Sequence, residues 1–451
     1  MNRDDMIMRG PVWRLWLGMS LPTIFVMLVI VAYNMADVYF IGRVGDAAQV
    51  AAISLAGPAY GLIQGLGTLL GSGGCTAAAL ASGRGRRVEL AAVTSFCLYG
   101  SLAVGTALGI AGAVYATEVG QLLGARGAVQ PYAAEYLRIL AMGAPAILTT
   151  GVLANMARAD GSMKDAMLGN GLGTVLNIVL DPLLIEVLGL GVRGAALATV
   201  LGNLIGGAVL LTRLARRPGN SFDPRALRGN ARVCGRVLAL GLPLALSVLL
   251  GSCAGALGNG LLSGYGTVAV AANGVASKAG MLVSMVAMGV CMGIQPAISI
   301  ACGRGDAKRA CRIARNTGLM AFALSAALTL ACAVGRAGFV GAFVREPEVV
   351  QLGVVMLSVS LIVCPLSGIY QMCTAFLQAT GDASGATLLS VLRQGIVFVP
   401  CLYITNMLGG LYGLMYAGVI ADVAALALAL MFVYRQGRRL HGAGMPTPAA
   451  L

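Results

Sequence analysis

Apolar runs of about 20 residues recur along the whole chain, and that recurrence decides what it can fold into. A hydrocarbon layer roughly 30 Å thick needs about 20 helical residues to cross it. Within that layer each backbone amide must be bonded inside its own segment, so a repeated apolar run means a repeated helix. Hydrophobic residues make up 58% of the chain and charged ones 11%, against roughly 25% charged in soluble domains. The mean hydropathy is +0.86. The first run, Leu15 to Met35, is too long for a cleavable leader and is followed by many like it.

The runs predict an all-α membrane protein with twelve spans, near 15–36, 50–74, 89–115, 131–156, 164–187, 193–213, 237–262, 269–301, 313–335, 349–378, 385–407 and 411–434. Basic residues gather in alternate connections: Arg3, Arg9 and Arg14; Arg84, Arg86 and Arg87; Arg158 and Lys164; the seven arginines from Arg213 to Arg236; Arg304, Lys308, Arg309, Arg312 and Arg315; and Arg435, Arg438 and Arg439. The intervening connections hold only Arg43, Arg126, Arg193, Arg336 and Arg345. The positive-inside rule then puts both termini in the cytoplasm, which requires an even number of spans.

The chain also repeats itself. Ser82-Gly-Arg-Gly returns as Cys302-Gly-Arg-Gly, Pro145 as Pro365, and Ala159-Asp-Gly161 as Ala379-Thr-Gly381, all 220 residues later. Six spans per copy gives both copies the same orientation. The expected organisation is an N-terminal six-helix lobe over 1–213, a cytoplasmic linker over 214–236, a C-terminal six-helix lobe over 237–435 and a cytoplasmic tail over 436–451.

Composition excludes several functions. The net charge of +14 sits in short loops, with no aromatic-studded basic domain to hold a nucleic acid. Gly71-Ser-Gly-Gly-Cys-Thr76 lacks the lysine of a phosphate-binding loop. The eleven cysteines lack CxxC pairs and read as packing residues, and the one histidine, His441, lies in the tail. No nucleophile–base pair or metal-ligand cluster suggests an enzyme, and no repeated filter sequence suggests a passive channel.

What remains are ionisable groups at membrane depth, each costly there and so a functional candidate. The first copy holds Asp37 and Asp181; Asn177 stands one turn before Asp181, and Thr199 could add a hydroxyl. At the repeat offset the second copy has Gly258, Val397, Cys401 and Gly418 at those places, so the fold itself does not require the polar set. The second copy has Lys278, Arg393 and Asp422, of which the last two could form a structural ion pair or a charge network. Met281, Met285, Met288 and Met292 follow helical spacing, as either ordinary packing or a pliable cavity wall.

With Asn34-Met-Ala-Asp37, Arg158-Ala-Asp-Gly161, Asn177-Ile-Val-Leu-Asp181-Pro182, Gly194-Ala-Ala-Leu-Ala-Thr199, Gly293-Ile-Gln-Pro296, Gln378-Ala-Thr-Gly381 and Arg393-Gln394 in order, the chain resembles the multidrug and toxin extrusion (MATE) family. The resemblance implies a secondary antiporter of the plasma (inner) membrane, with a V-shaped cavity between two six-helix lobes. A proton or Na⁺ would enter as a small cationic or amphipathic compound leaves. It carries the cation-coupling role onto Asp37, Asn177, Asp181 and Thr199, with the Ala195 carbonyl, all oxygen donors suited to a hard cation. No cofactor or metal beyond that ion is expected, and the unit is expected to be a monomer in the lipid bilayer. The wider superfamily also contains lipid-linked precursor flippases, which the fold alone accommodates.

The charge asymmetry makes a topological prediction. A reporter fused after Arg217 should read cytoplasmic and one fused near Gly189 external; finding both on one side would break the two-copy topology.

Overall fold

The structure, a computed structural model, describes residues 3–43, 47–216, 222–227, 231–344 and 346–442; the side chains at some helical positions, 33–43 among them, lie outside the described set. Every regular element among these residues is helical. In the first half, α1 (Arg3–Arg9) precedes α2 (Leu21–Arg43), α3 (Ala47–Gly83) and α4 (Arg87–Val114). Then α5 (Val129–Met142) meets α6 (Ala144–Ala159) at a 50° bend, followed by α7 (Met163–Pro182) and α8 (Val192–Ala215). The second half has α9 (Ala231–Ser263), α10 (Thr267–Gly303) and α11 (Ala307–Val334). It continues with α12 (Pro347–Leu361), bent by 43° against α13 (Cys364–Ala379), then α14 (Ala383–Val391) and α15 (Phe398–Gly442).

Among the described residues, eight helices are long and apolar enough to cross a membrane, and the two bent pairs bring the number to ten. The 37-residue α3 supplies another. The last comes from the run 383–440, which breaks at Gly410, where φ is 54° and a helix of L-residues cannot continue. Twelve spans result, as the sequence predicts. Two of them are not the straight rods that an apolar window suggests. Pro145 and Pro365 each open the second leg of a bent span, because proline supplies no N–H to the preceding leg yet suits a first helical turn. The backbone repeats as the sequence does: Gly85 and Gly305 take φ of 69° and 84°, and Gly161 and Gly381 take 70° and 86°, each pair 220 residues apart.

By packing, the chain divides into two compact units, Phe25–Ala245 and Met1–Ile24 with Leu246–Leu451. The boundaries between these units fall inside α2 and α9. The reason lies in two close crossings. In one unit, a Cβ added at Gly293 of α10 would collide with the Met19 carbonyl and the Ser20 backbone, while the Ser20 hydroxyl donates to the Val290 carbonyl at 3.0 Å. In the other, a Cβ at Gly73 of α3 would strike the Val237 carbonyl, and one at Gly241 of α9 the Leu69 carbonyl. Gly73 and Gly293 are one repeat apart. The first span therefore begins against the eighth, and the seventh against the second.

Polar tethers fix the ends. Arg309, at the start of α11, donates to the carbonyls of Ile7 (2.8 Å) and Gly10, holding α1 in place. Asp306 caps α11 by accepting from the Arg309 amide at 2.8 Å. The connection after α8 turns through a short 3₁₀ segment, Pro224–Leu227, and α9 starts at Ala231, inside the expected linker 214–236. That connection lies on α4: the Ser95 and Tyr99 hydroxyls donate to the carbonyls of Asp223 (3.0 Å) and Phe222 (2.9 Å).

The crossings predict where the fold tolerates no side chain. Gly73→Val and Gly293→Val should each destabilise the purified protein by about 1–3 kcal/mol through overpacking. Gly57→Ala, whose Cβ would meet nothing within 4 Å, should not, as thermal melts in detergent would read out.

Candidate functional site

The site predicted in the first copy depends on how closely α7 and α8 cross. Gly169 and Gly173 on α7 face Gly202 and Gly206 on α8, a small-xxx-small pair on each side. A Cβ at Gly173 would meet the Gly202 carbonyl, one at Gly202 the Gly173 carbonyl, and one at Gly206 the Gly169 carbonyl. With the backbones this near, short polar side chains one turn away reach across. The Asn177 Nδ2 donates to Thr199 Oγ1 at 3.4 Å, and the Thr199 hydroxyl donates to the Ala195 carbonyl at 3.1 Å.

All four of Ala195, Asn177, Asp181 and Thr199 are buried, Asp181 completely. The Asn177 Oδ1 has no hydrogen-bond donor among the described residues. A buried acceptor without a donor costs about 1–3 kcal/mol unless something else meets it. The structure thus brings Asn177, Thr199 and Ala195 into one hydrogen-bonded chain and sets Asp181 one turn further along α7. The backbone of Asp37 belongs to α2, and its side chain lies outside the described residues.

Asn177 and Thr199 line a cavity of about 180 Å³ inside this unit, together with Tyr60, Gln64, Asn170 and Asn203. Its wall is internally bonded. Gln64 donates to the Tyr60 hydroxyl at 3.2 Å, Asn203 to the Thr199 carbonyl at 2.8 Å, and the Thr150 hydroxyl to the Asn203 carbonyl at 2.7 Å. Sequence reading singled out none of Asn170, Asn203, Tyr60, Gln64 or Thr150. A signal existed for two: Asn170 precedes Asn177 by two turns of one helix stripe, and Asn203 follows Thr199 by one.

In the second copy Arg393 Nε and Asp422 Oδ1 pair at 2.7 Å, with the guanidinium 4.5 Å from the centroid of the buried Tyr370 ring. Their side chains remain 26% and 31% exposed, so the pair is half-buried and less costly than a fully buried one. One repeat earlier Arg393 falls on Gly173 of the α7–α8 crossing, and Asp422, at the 219-residue spacing that relates Gly191 to Gly410, falls on Asn203 of the cavity wall. The second copy therefore carries an ion pair where the first has a glycine and an amide. Lys278 does not join a network with that pair: it is exposed on α10, and among the described residues no carboxylate pairs with it. Met281, Met285, Met288 and Met292 are all half-buried along one stripe of α10.

The comparisons with known proteins agree with this architecture. The MatE family model matches twice, over residues 22–183 and 243–404, an offset within one residue of the internal repeat. The chain is 30% identical over 436 residues to the multidrug export protein MepA of Staphylococcus saprophyticus, covering 96% of each chain. It is 30% identical over 443 residues to MepA of Staphylococcus aureus strain MRSA252, again covering 96% of each. An outward-facing multidrug resistance MATE transporter of the MOP superfamily superposes with a TM-score of 0.92 at 25% identity, over 98% of this chain and all of that one. A mutant form of the Vibrio cholerae MATE transporter VcmN shares the fold with a TM-score of 0.90 at 21% identity, over 95% of this chain and 97% of its own. With two matches to its family model that together span most of its length, and multidrug exporters as relatives from end to end, the chain belongs to the MatE family and is a multi-pass membrane transporter, not an enzyme.

Proposed function

We propose that this transporter is a cation-coupled antiporter, taking in a proton or Na⁺ as it exports small cationic or amphipathic organic compounds across the plasma (inner) membrane. It works as a monomer with both termini cytoplasmic. The observation that carries the reading is the buried oxygen cluster of the first copy. Asn177 Oδ1 has no donor among the described residues, and Thr199 Oγ1 donates to the Ala195 carbonyl and accepts from Asn177 Nδ2, which leaves the hydroxyl one lone pair to spare. Oxygen atoms so disposed beside a wholly buried carboxylate suit a hard cation, and the carboxylate itself suits a proton.

Asp37 is the second carboxylate of this proposal. Two carboxylates sharing a dehydrated space repel each other, and a bound proton or Na⁺ discharges that repulsion. The discharged state lets α2, with Pro22 near its start, close on the cavity of its unit and expel the substrate. A bound ion can drive such a change only through its differing affinity for the two states. The acids must therefore be more accessible in one state than in the other.

Uptake into proteoliposomes under separately imposed pH and Na⁺ gradients, with a panel of cationic dyes, tests this directly. Asp37→Asn and Asp181→Asn should each abolish gradient-driven transport with membrane insertion intact, while Gly258→Asn and Cys401→Asn should leave coupling nearly whole. Wild-type rates in both aspartate variants would sink the mechanism. For the half-buried pair, Arg393→Gln or Asp422→Asn should cost about 1–3 kcal/mol of stability, and the double variant less than the sum. A stable double variant that no longer transports would make the pair part of the mechanism.

A further inference from the structure

The second packing unit holds an apolar crevice of about 300 Å³ between α11, α13 and α15, lined by Leu319, Met372, Phe376, Leu430 and Gly437, with one charged side chain, Arg315. Leu319 and Leu430 are 63% and 50% exposed, so the crevice opens on the outer, lipid-facing side of the helices. Arg315 stands two turns into α11, at the end of the helix that also carries Lys308, Arg309 and Arg312. Among the described residues no carboxylate pairs with Arg315.

The first copy shows what such a place receives. One repeat before Arg315 and Leu319 stand Ser95 and Tyr99, whose hydroxyls hold the carbonyls of Asp223 and Phe222 in the connection after α8. There the chain covers its own helix, and the recognising groups are neutral donors suited to a neutral backbone. In the second copy the donors are replaced by a guanidinium and a leucine. The occupant this exchange favours has an anionic head and an apolar body.

The geometry points to a bound anionic phospholipid, its acyl chain in the crevice and its phosphate on Arg315. A guanidinium matches a phosphate through paired N–H donors. Basic pockets between membrane helices at a positively charged end are suited to anionic head groups. Gly437 extends the crevice, because a Cβ there would meet nothing within 4 Å. The lipid would steady the end of α15 against α11 and α13.

The test uses the full chain in detergent, with phosphatidylglycerol and phosphatidylcholine of equal acyl length added separately, and bound lipid counted by native mass spectrometry beside a thermal melt. The expected result is one retained phosphatidylglycerol that raises the melting temperature, with phosphatidylcholine not retained. Arg315→Gln should weaken retention about fivefold or more. Gly437→Leu should weaken it too, by filling the crevice without displacing a neighbour, and Arg312→Gln, one turn away and outside the crevice, should leave it unchanged. Equal retention of the two lipids would overturn the proposal. So would an equal loss in Arg312→Gln and Arg315→Gln, which would mean a diffuse basic belt only. Binding that appears only after residues 443–451 are removed would assign the crevice to the tail and overturn it as well.

Discussion

Close approach of helix backbones is the constraint on which the rest of this structure depends. In hydrocarbon, leucine against leucine gains nothing over leucine against lipid, so association rests on tight packing and on polar contacts between helices. Glycine makes that possible at the α7–α8 crossing, where Gly169, Gly173, Gly202 and Gly206 let carbonyls meet the facing backbone. It does so again where Gly73 meets the start of α9 and Gly293 the start of the first span. These crossings decide both which helices form a unit and how far a short side chain can reach. Asn177 and Thr199 bond each other only because the glycines one turn away have drawn their helices together.

The two copies solve the same packing problem with different chemistry. Positions 173 and 203 are glycine and asparagine, and their repeats, 393 and 422, are arginine and aspartate paired at 2.7 Å. Backbone contact in the first copy leaves room beside it for a polar cavity and demands nothing of its own electrostatically. The ion pair in the second copy joins its helices by charge, with Tyr370 beneath the guanidinium. Either device fixes a crossing. Only the first leaves neighbouring oxygen atoms free of a resident cation.

The span count, the repeat and the alternation of basic loops were all legible in the sequence, because each follows from the thickness and dielectric of the membrane rather than from tertiary detail. Asn177 and Thr199 were legible as well, since polar side chains within apolar runs stand out. The bends at Pro145 and Pro365 were not, because an apolar window registers hydropathy and not direction. Nor were the packing units. That the first span begins against the eighth depends on Gly293 having no side chain, and a glycine in a glycine-rich chain announces no partner. Asn170, Asn203 and Thr150 were missed because a lone polar residue is informative only once the facing helix is known. Lys278, a charge within an apolar run, is exposed on α10, and among the described residues no carboxylate pairs with it.

The asymmetry between the copies gives the proposed coupling its physical sense. A carboxylate with a guanidinium beside it, as at Asp422, has its charge already met and has no need of an ion from solution. At the equivalent positions of the first copy stand Gly173 and Asn203, and the buried Asp181 lies two turns beyond Gly173 on α7, one turn from Asn177. In the proposed coupling a small cation that can arrive and depart binds there. Under the proposed function, the second copy keeps its pair while the first exchanges its ion, and ion binding changes the packing of one copy alone.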